Sequence, residues 1–347
     1  MTLASALPHD RLDDLLSDAR ADSVEFPYLL ANHVPMILVA MNRLGSDDAR
    51  LAEWLAMYRR VKGLVPMPPR VAPIAREDWL VHLGDRSREA DYRDLMIVEV
   101  RRLGIDDAIQ TYVPTLIPGI GASALHCLMR LAYGVLRMDP AEVGTAIGYW
   151  CATYLKMPEA TGAAPTTDDP GAVLAASSAI PDMHALEPET DLLWHSIRAA
   201  GEAPGFAPVV DLLEIRSDCL ARLASTSLAL FAATMDFSAL HAVTGTHWVR
   251  LVSPHLAAAD RPRIIRYFWQ IIASLVPKIG FPSLPSAEEV EAWRRLPAPS
   301  WDEIAAAAIA SDDEHDISLV FSAREEEKVY GDPLYRVVAA RRVNLIA

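Results

Sequence analysis

Apolar residues in this chain recur at intervals of three and four and almost never alternate, a periodicity that commits it to helices. Between residues 88 and 103 the stripe is Tyr92, Leu95, Met96, Val100 and Leu103, with Gly104 as the stop. Leu51, Trp54, Leu55 and Tyr58 form a second stripe over 47–60, and Leu12, Leu15 and Leu16 a third over 10–21. Further helices are expected at 106–112, 141–155, 191–200, 208–235 (kinked or split), 262–276, 287–296 and 301–309. A last helical region, 313–345, is interrupted by Gly331-Asp332-Pro333. Hydrophobic residues make up 52% of the 347 positions and charged ones 22%, so several helices must be buried on more than one face. The expected architecture is all-α, a single compact multi-helix domain over residues 1–347 with buried helices. The stretch 158–181, rich in Ala, Thr, Gly and Pro, is expected as a flexible loop.

The formal net charge of -14 argues against a nucleic-acid or anionic-membrane partner, since neutralising phosphates needs a basic patch. Lys62, Lys156, Lys278 and Lys328 are the only lysines and lie far apart. Cys127, Cys151 and Cys219 sit in apolar surroundings without CxxC spacing, as in a reducing compartment. Residues 1–11 lack a basic segment followed by an apolar one, so no secretory signal is read there. The uncharged span 108–129 is cut by Pro114, Pro118, Gly119 and Gly121 into pieces too short to cross a bilayer. A soluble, cytoplasmic protein is expected, and the sequence leaves a homodimer open.

No phosphate-binding glycine loop, GxSxG, HExxH or CxxC is present. Gly119-Ile120-Gly121 echoes a dinucleotide turn but lacks the preceding strand. What remains is a dispersed set of histidines. His33 precedes a buried helix begun by Pro35, where the positive helix end favours a neutral, metal-competent imidazole; helix capping is the competing role. His126 stands inside an expected helix and reads equally as a core histidine. His241 and His247 are about 120° apart on a regular helix. They meet at one point only if the backbone breaks between them, for which Gly245 is the candidate; two ordinary histidines of a helix–loop–helix corner are the alternative. His315 follows Asp312-Asp313-Glu314 at an expected helix start. Imidazoles converging in a helical core suit iron, zinc, copper or nickel.

Several stretches together resemble the questin oxidase-like family. They are Asn32-His33-Val34-Pro35-Met36, the run from Leu116 to His126, Leu131-Ala132-Tyr133-Gly134, the run from His241 to His247, and Asp312-Asp313-Glu314-His315. Characterised relatives are oxygenases of polyketide pathways. One is an NADPH-dependent enzyme opening an anthraquinone ring in Baeyer–Villiger fashion; another is a non-haem iron dioxygenase with four histidines and a carboxylated lysine at the metal. The resemblance implies a histidine-lined core site with His33, His126, His241 and His247 as metal ligands and His315 close by, orienting water or substrate. It implies Fe(II) as cofactor, with dioxygen and a small aromatic, quinone-like molecule as substrates, cleaved or oxygenated in the ring. Arg130 and Arg250 are candidates to steady an anionic intermediate, with structural ion pairs as the alternative, and Tyr133 and Trp248 are candidates for the pocket wall or the core. Members of the family often carry a lysine three residues after the histidine of the Asp-Asp-Glu-His stretch; here Ser318 stands there, and if that lysine is the carboxylated one, this ligand would be missing. Two other readings stay open: a metal-independent, NADPH-dependent Baeyer–Villiger monooxygenase, and a non-catalytic helical binding protein with a decayed site.

Overall fold

Helices account for nearly all regular structure in residues 11–347, the part of the chain that the computed structural model describes. After α1 (Arg11–Ala19) comes a small antiparallel hairpin, β1 (Glu25–Phe26) and β2 (Leu30–Ala31), with Glu25 paired to Ala31 and Phe26 to Leu30. Then follow α2 (Val34–Leu44), α3 (Asp48–Lys62), α4 (Glu89–Leu103), α5 (Ile105–Leu116), α6 (His126–Arg137) and α7 (Pro140–Ala152). The middle of the chain forms α8 (Pro170–Ser178), α9 (Leu193–Glu202), α10 (Cys219–Thr234) and α11 (Phe237–Val252). Last come α12 (Arg261–Ser274), α13 (Ala287–Arg294), α14 (Trp301–Ala310), α15 (Glu314–Tyr330) and α16 (Leu334–Arg342).

The ends of these helices are written locally. Asp47, Asp139, Asp236 and Asp313 accept backbone N–H bonds at the starts of α3, α7, α11 and α15. Ser286 and Ser300 form reciprocal capping boxes with Glu289 and Glu303, and each cap of this kind contributes about 1 kcal/mol. Besides α7, buried from Glu142 to Ala152, three helices that carry or adjoin His33, His126 and His241 are enclosed along most of their length: Val34 to Met41 in α2, His126 to Val135 in α6 and Ser238 to Val249 in α11 are buried without a break. A helix covered on every side belongs to a core, and these three are the frame on which the site is built. α11 packs against α6, α10, α12 and α15, and α2 against α1, α3, α6 and α15. The fold is all-α and compact.

Some elements differ from the sequence expectation. The stretch 158–181 is not one flexible loop. Asp169 caps α8 and Pro170 occupies its first turn, so a helix starts where composition suggests none. Trp269 Nε1 donates to Pro170 O at 3.0 Å and Tyr267 accepts from Ala160 N at 2.9 Å, tying the segment to α12. α5 runs through Pro114 to Leu116. The expected 208–235 helix resolves into a 3-10 segment, Pro204–Asp211, followed by α10. Gly331-Asp332-Pro333 separates α15 from α16, as the sequence predicts. None of the described helices is long and apolar enough to cross a membrane. The stretch read for a targeting signal lies, up to residue 10, outside the described residues.

Candidate functional site

His33, His126, His241 and His315 come together from four different elements. His33 occupies the start of α2, yet its side chain caps nothing; Asn32 Oδ1 accepts the Val34 N–H instead, at 3.0 Å. His126 is not mid-helix but the first residue of α6, placed there by a turn in which Ser123, Ala124 and Leu125 all have positive φ (45°, 55° and 71°). Such a conformation costs each non-glycine residue of order 1–3 kcal/mol and persists only where its surroundings over-determine it. Here Ser123 Oγ donates to Glu25 Oε1 at 2.7 Å and meets the Tyr149 hydroxyl at 2.6 Å, while Arg86 pairs with Glu25 at 2.9 Å. His241 lies in the first turns of α11 and His315 near the start of α15.

The four rings form a closed circuit. Centroid separations are 4.6 Å for His33–His126, 5.9 Å for His126–His241, 6.2 Å for His241–His315 and 5.2 Å for His315–His33. Each Nδ1 is already committed. His33 donates to Ala31 O at 2.9 Å, His126 to Ser123 O, His241 to Phe237 O at 3.0 Å and His315 to Asp313 Oδ1 at 3.0 Å. Carbonyl and carboxylate oxygens can only accept, so the proton of each neutral ring sits on Nδ1 and Nε2 carries a bare lone pair. His33 Nε2 and His126 Nε2 then face each other at 2.9 Å with no proton between them. Burial, reinforced by neighbouring histidines, holds His33 and His126 well below the usual imidazole range and pushes His241 down to about 3. An extra proton is therefore no remedy at neutral pH. Nδ1 anchoring of this kind orients histidines whose other ring nitrogen binds a metal.

These rings line a cavity of about 240 Å³ whose other walls include Phe26, Leu29, Leu30, Leu192, Trp194 and Phe237. The hairpin turn, with Tyr28 and Leu29 at positive φ, brings partly exposed Leu29 and Leu30 to its rim. Lys62, Lys278, Asp191 and Glu314 supply the charges of the lining. Glu314 is buried and pairs with Lys62 at 2.8 Å. Asp313, Glu314 and His315 also offer ligand atoms within 4.8 Å of one another, a small cluster that could hold a metal ion. Burial alone would raise Asp313, but its bonds from His315 and the charge of Arg342 hold it below the usual carboxylate range, so it stays an acceptor.

His247 is elsewhere. α11 is continuous through Gly245, so the break that would re-aim its two histidines does not occur. Gly245 serves contact instead: a Cβ there would meet Phe268 Cε2 at 2.5 Å. The His247 ring packs against Phe321, and its Nδ1 bonds Glu326 Oε1 at 2.7 Å, which also accepts from Arg250 Nε at 2.7 Å. Arg250 is thus engaged in a buried ion cluster, and Arg130 pairs with Glu142 at 2.6 Å; neither arginine lines the histidine cavity. Tyr133 and Trp248 are buried and are likewise absent from its walls. Ser318 sits one turn along α15 from His315, buried beside Tyr133. Gly119 and Gly121 make no phosphate loop: side chains there would collide with Tyr154 and with Ile271 and Ile197.

Sequence reading missed Glu314, Lys62, Lys278 and Phe237. Glu314 adjoins His315 and was within reach of that motif; the others come from elements whose apposition no local signal announces. A family model described as Questin oxidase-like matches residues 30–322, a span that includes all four clustered histidines. A comparison with curated proteins finds no match. The chain belongs to the Questin oxidase-like family, and membership of an oxidase-like family supports an enzymatic role.

Proposed function

We propose that this Questin oxidase-like protein is a metal-dependent oxygenase acting on an aromatic, quinone-like substrate. The observation that carries the reading is the pair of Nε2 atoms of His33 and His126, 2.9 Å apart, on rings whose Nδ1 atoms bond backbone carbonyls, with His241 and His315 closing the circuit. These four histidines would hold the ion. Iron or another imidazole-preferring transition metal suits the donor set, and when bound it supplies the redox chemistry of oxygen activation.

The protein's own groups do the rest. Phe26, Leu30, Leu192 and Phe237 give a flat ring system apolar walls and keep water from it. Glu314, beside Lys62, is placed to take the proton of a phenolic hydroxyl, leaving the Lys62 ammonium next to the phenolate. Asp313 holds His315 by Nδ1 and is itself held by Arg342 at 2.8 Å, fixing that ring's orientation. The NADPH-dependent alternative gains no specific support, since the only sheet among the described residues is the two-residue-strand hairpin.

The test is oxygen uptake by protein loaded anaerobically with Fe(II) and offered hydroxylated anthraquinones. The reading predicts uptake with loss of the quinone chromophore, absent in folded His126→Ala. Uptake that persists in metal-free protein, or that requires NADPH but no metal, would overturn it.

A further inference from the structure

A second cavity, of about 500 Å³, adjoins the histidine cavity, and the two share Lys278 and Asp191 in their linings. Their partition is an ion pair, Lys278 Nζ to Asp191 Oδ1 at 3.2 Å, in which the Asp191 side chain is fully exposed. An exposed pair of this kind contributes little and exchanges readily for another anion. Lys62 faces the opposite situation, because its partner Glu314 is buried. Lys278 is therefore the cation of the cleft that is free to change partners, on a chain whose net charge is -14 and which has only four lysines.

Two residues with unpartnered donors stand beside these cavities, one lining each. Trp194 lines the first cavity and Ser196 the second, both near the start of α9. Both residues are more than nine-tenths buried, yet Trp194 Nε1 and Ser196 Oγ have no hydrogen-bond partner. Buried polar groups are normally satisfied, and these two, themselves covered, are left without a partner behind the walls of the two cavities. The Trp194 indole lies under the Arg86 and Arg198 guanidiniums, at 4.5 and 5.2 Å, and is held in place before any ligand arrives. The backbone N–H groups that open α9 have no side-chain cap, which adds the favourable end of a helix to the same junction.

We infer that the two cavities form one cleft for an aromatic carboxylic acid. Its ring system occupies the histidine cavity, and its carboxylate replaces Asp191 on Lys278 at the junction, where polar substituents extend into the second cavity. This rests on the proposed function only in treating the histidine cavity as the place where the ring reacts.

The experiment compares binding of 2-naphthoate and 2-naphthamide to the purified chain by calorimetry, with metal content measured on the same samples. The acid should bind several-fold more tightly than the amide, the size expected of one partly exposed charge contact. Lys278→Gln should erase that preference without weakening the amide, Lys278→Arg should keep it, and Asp191→Asn should tighten the acid. Equal binding of acid and amide, an unchanged preference in Lys278→Gln, or no binding of the acid at millimolar concentration would overturn the inference. A Lys278-dependent acid preference in protein that retains no metal would contradict the oxygenase reading alone. Metal retained without any acid preference would contradict this inference alone.

Discussion

His241 and His247 stand on one unbroken helix, both buried, and differ in what their Nδ1 atoms touch. His241 donates to a backbone carbonyl, Phe237 O, and its ring faces two other histidines, His126 and His315, and a cavity. His247 is bound to the carboxylate of Glu326 inside the core, with Arg250 on the same oxygen. The first arrangement leaves a lone pair aimed at open space; the second makes the histidine one member of an ion cluster that closes α11 onto α15. Residue type and burial do not separate a cavity-lining imidazole from one locked in the core. The presence of a cavity in front of the ring does: His241 and His315 line one and His247 does not, although His315, like His247, has its Nδ1 on a carboxylate.

The contrast is broken most severely from the histidine cavity. Replacing His33 or His126 by Ala should lower bound transition metal by more than tenfold while leaving the far-ultraviolet circular dichroism of the chain intact, as loss of one of few ligands requires. The core cluster should respond in the other currency, stability. Glu326→Ala leaves Arg250 and His247 without their shared acceptor. It should lower unfolding free energy by about 3 kcal/mol in denaturant titrations, discounted from a fully buried pair because Arg250 is part-exposed, with metal content unchanged. Between the two sites, Gly245→Ala gains about 1 kcal/mol of helix propensity but drives a Cβ into the buried Phe268 ring. A net loss of about 1–2 kcal/mol is expected, again by denaturant titration.

The smallest effect is on pH dependence. Burial alone would raise Glu326, but the His247 hydrogen bond and the charges of His247 and Arg250 outweigh it and hold the carboxyl below its usual 4.5. Its folded-state value being depressed, Glu326 contributes stability that is complete above the unfolded value and lost as pH falls through the folded one. Stability of the wild-type chain should therefore fall more steeply below about pH 4.5 than that of Glu326→Gln, as read from chemical denaturation between pH 6 and pH 3.

How much of this was legible in the sequence follows from where the information lies. The stripes Leu51-Trp54-Leu55-Tyr58 and Tyr92-Met96-Val100 report helices because their periodicity is local, and the Gly331-Asp332-Pro333 break reports itself for the same reason. α8 stayed hidden because its residues are mostly small and show no apolar stripe, so no face stands out and only Asp169-Pro170 marks its start. The turn before His126 was illegible for a deeper reason: three positive-φ residues without glycine are imposed by Glu25 and Tyr149, which are remote in sequence. His33, His126 and His241 were recognisable as a set through their motifs. His247 entered the expected ligand set through the resemblance carried by the His241-to-His247 stretch and packs instead against Glu326 and Phe321, whereas His315, assigned only a neighbouring role, closes the circuit. Gly245 looked like a hinge and is a contact surface for Phe268. Lys62 and Lys278 gave no sign at all, since their significance arises only when α3 and the segment after α12 reach the same cavity.

The most direct measurement is the metal-to-protein ratio of His315→Ala and His247→Ala, determined by elemental analysis beside the wild type after identical anaerobic Fe(II) loading and dialysis. The account predicts that wild-type protein retains near-stoichiometric metal, that His315→Ala loses most of it, and that folded His247→Ala keeps the wild-type ratio. Loss of metal in His247→Ala with full retention in His315→Ala, or no retained metal in the wild type, would contradict it.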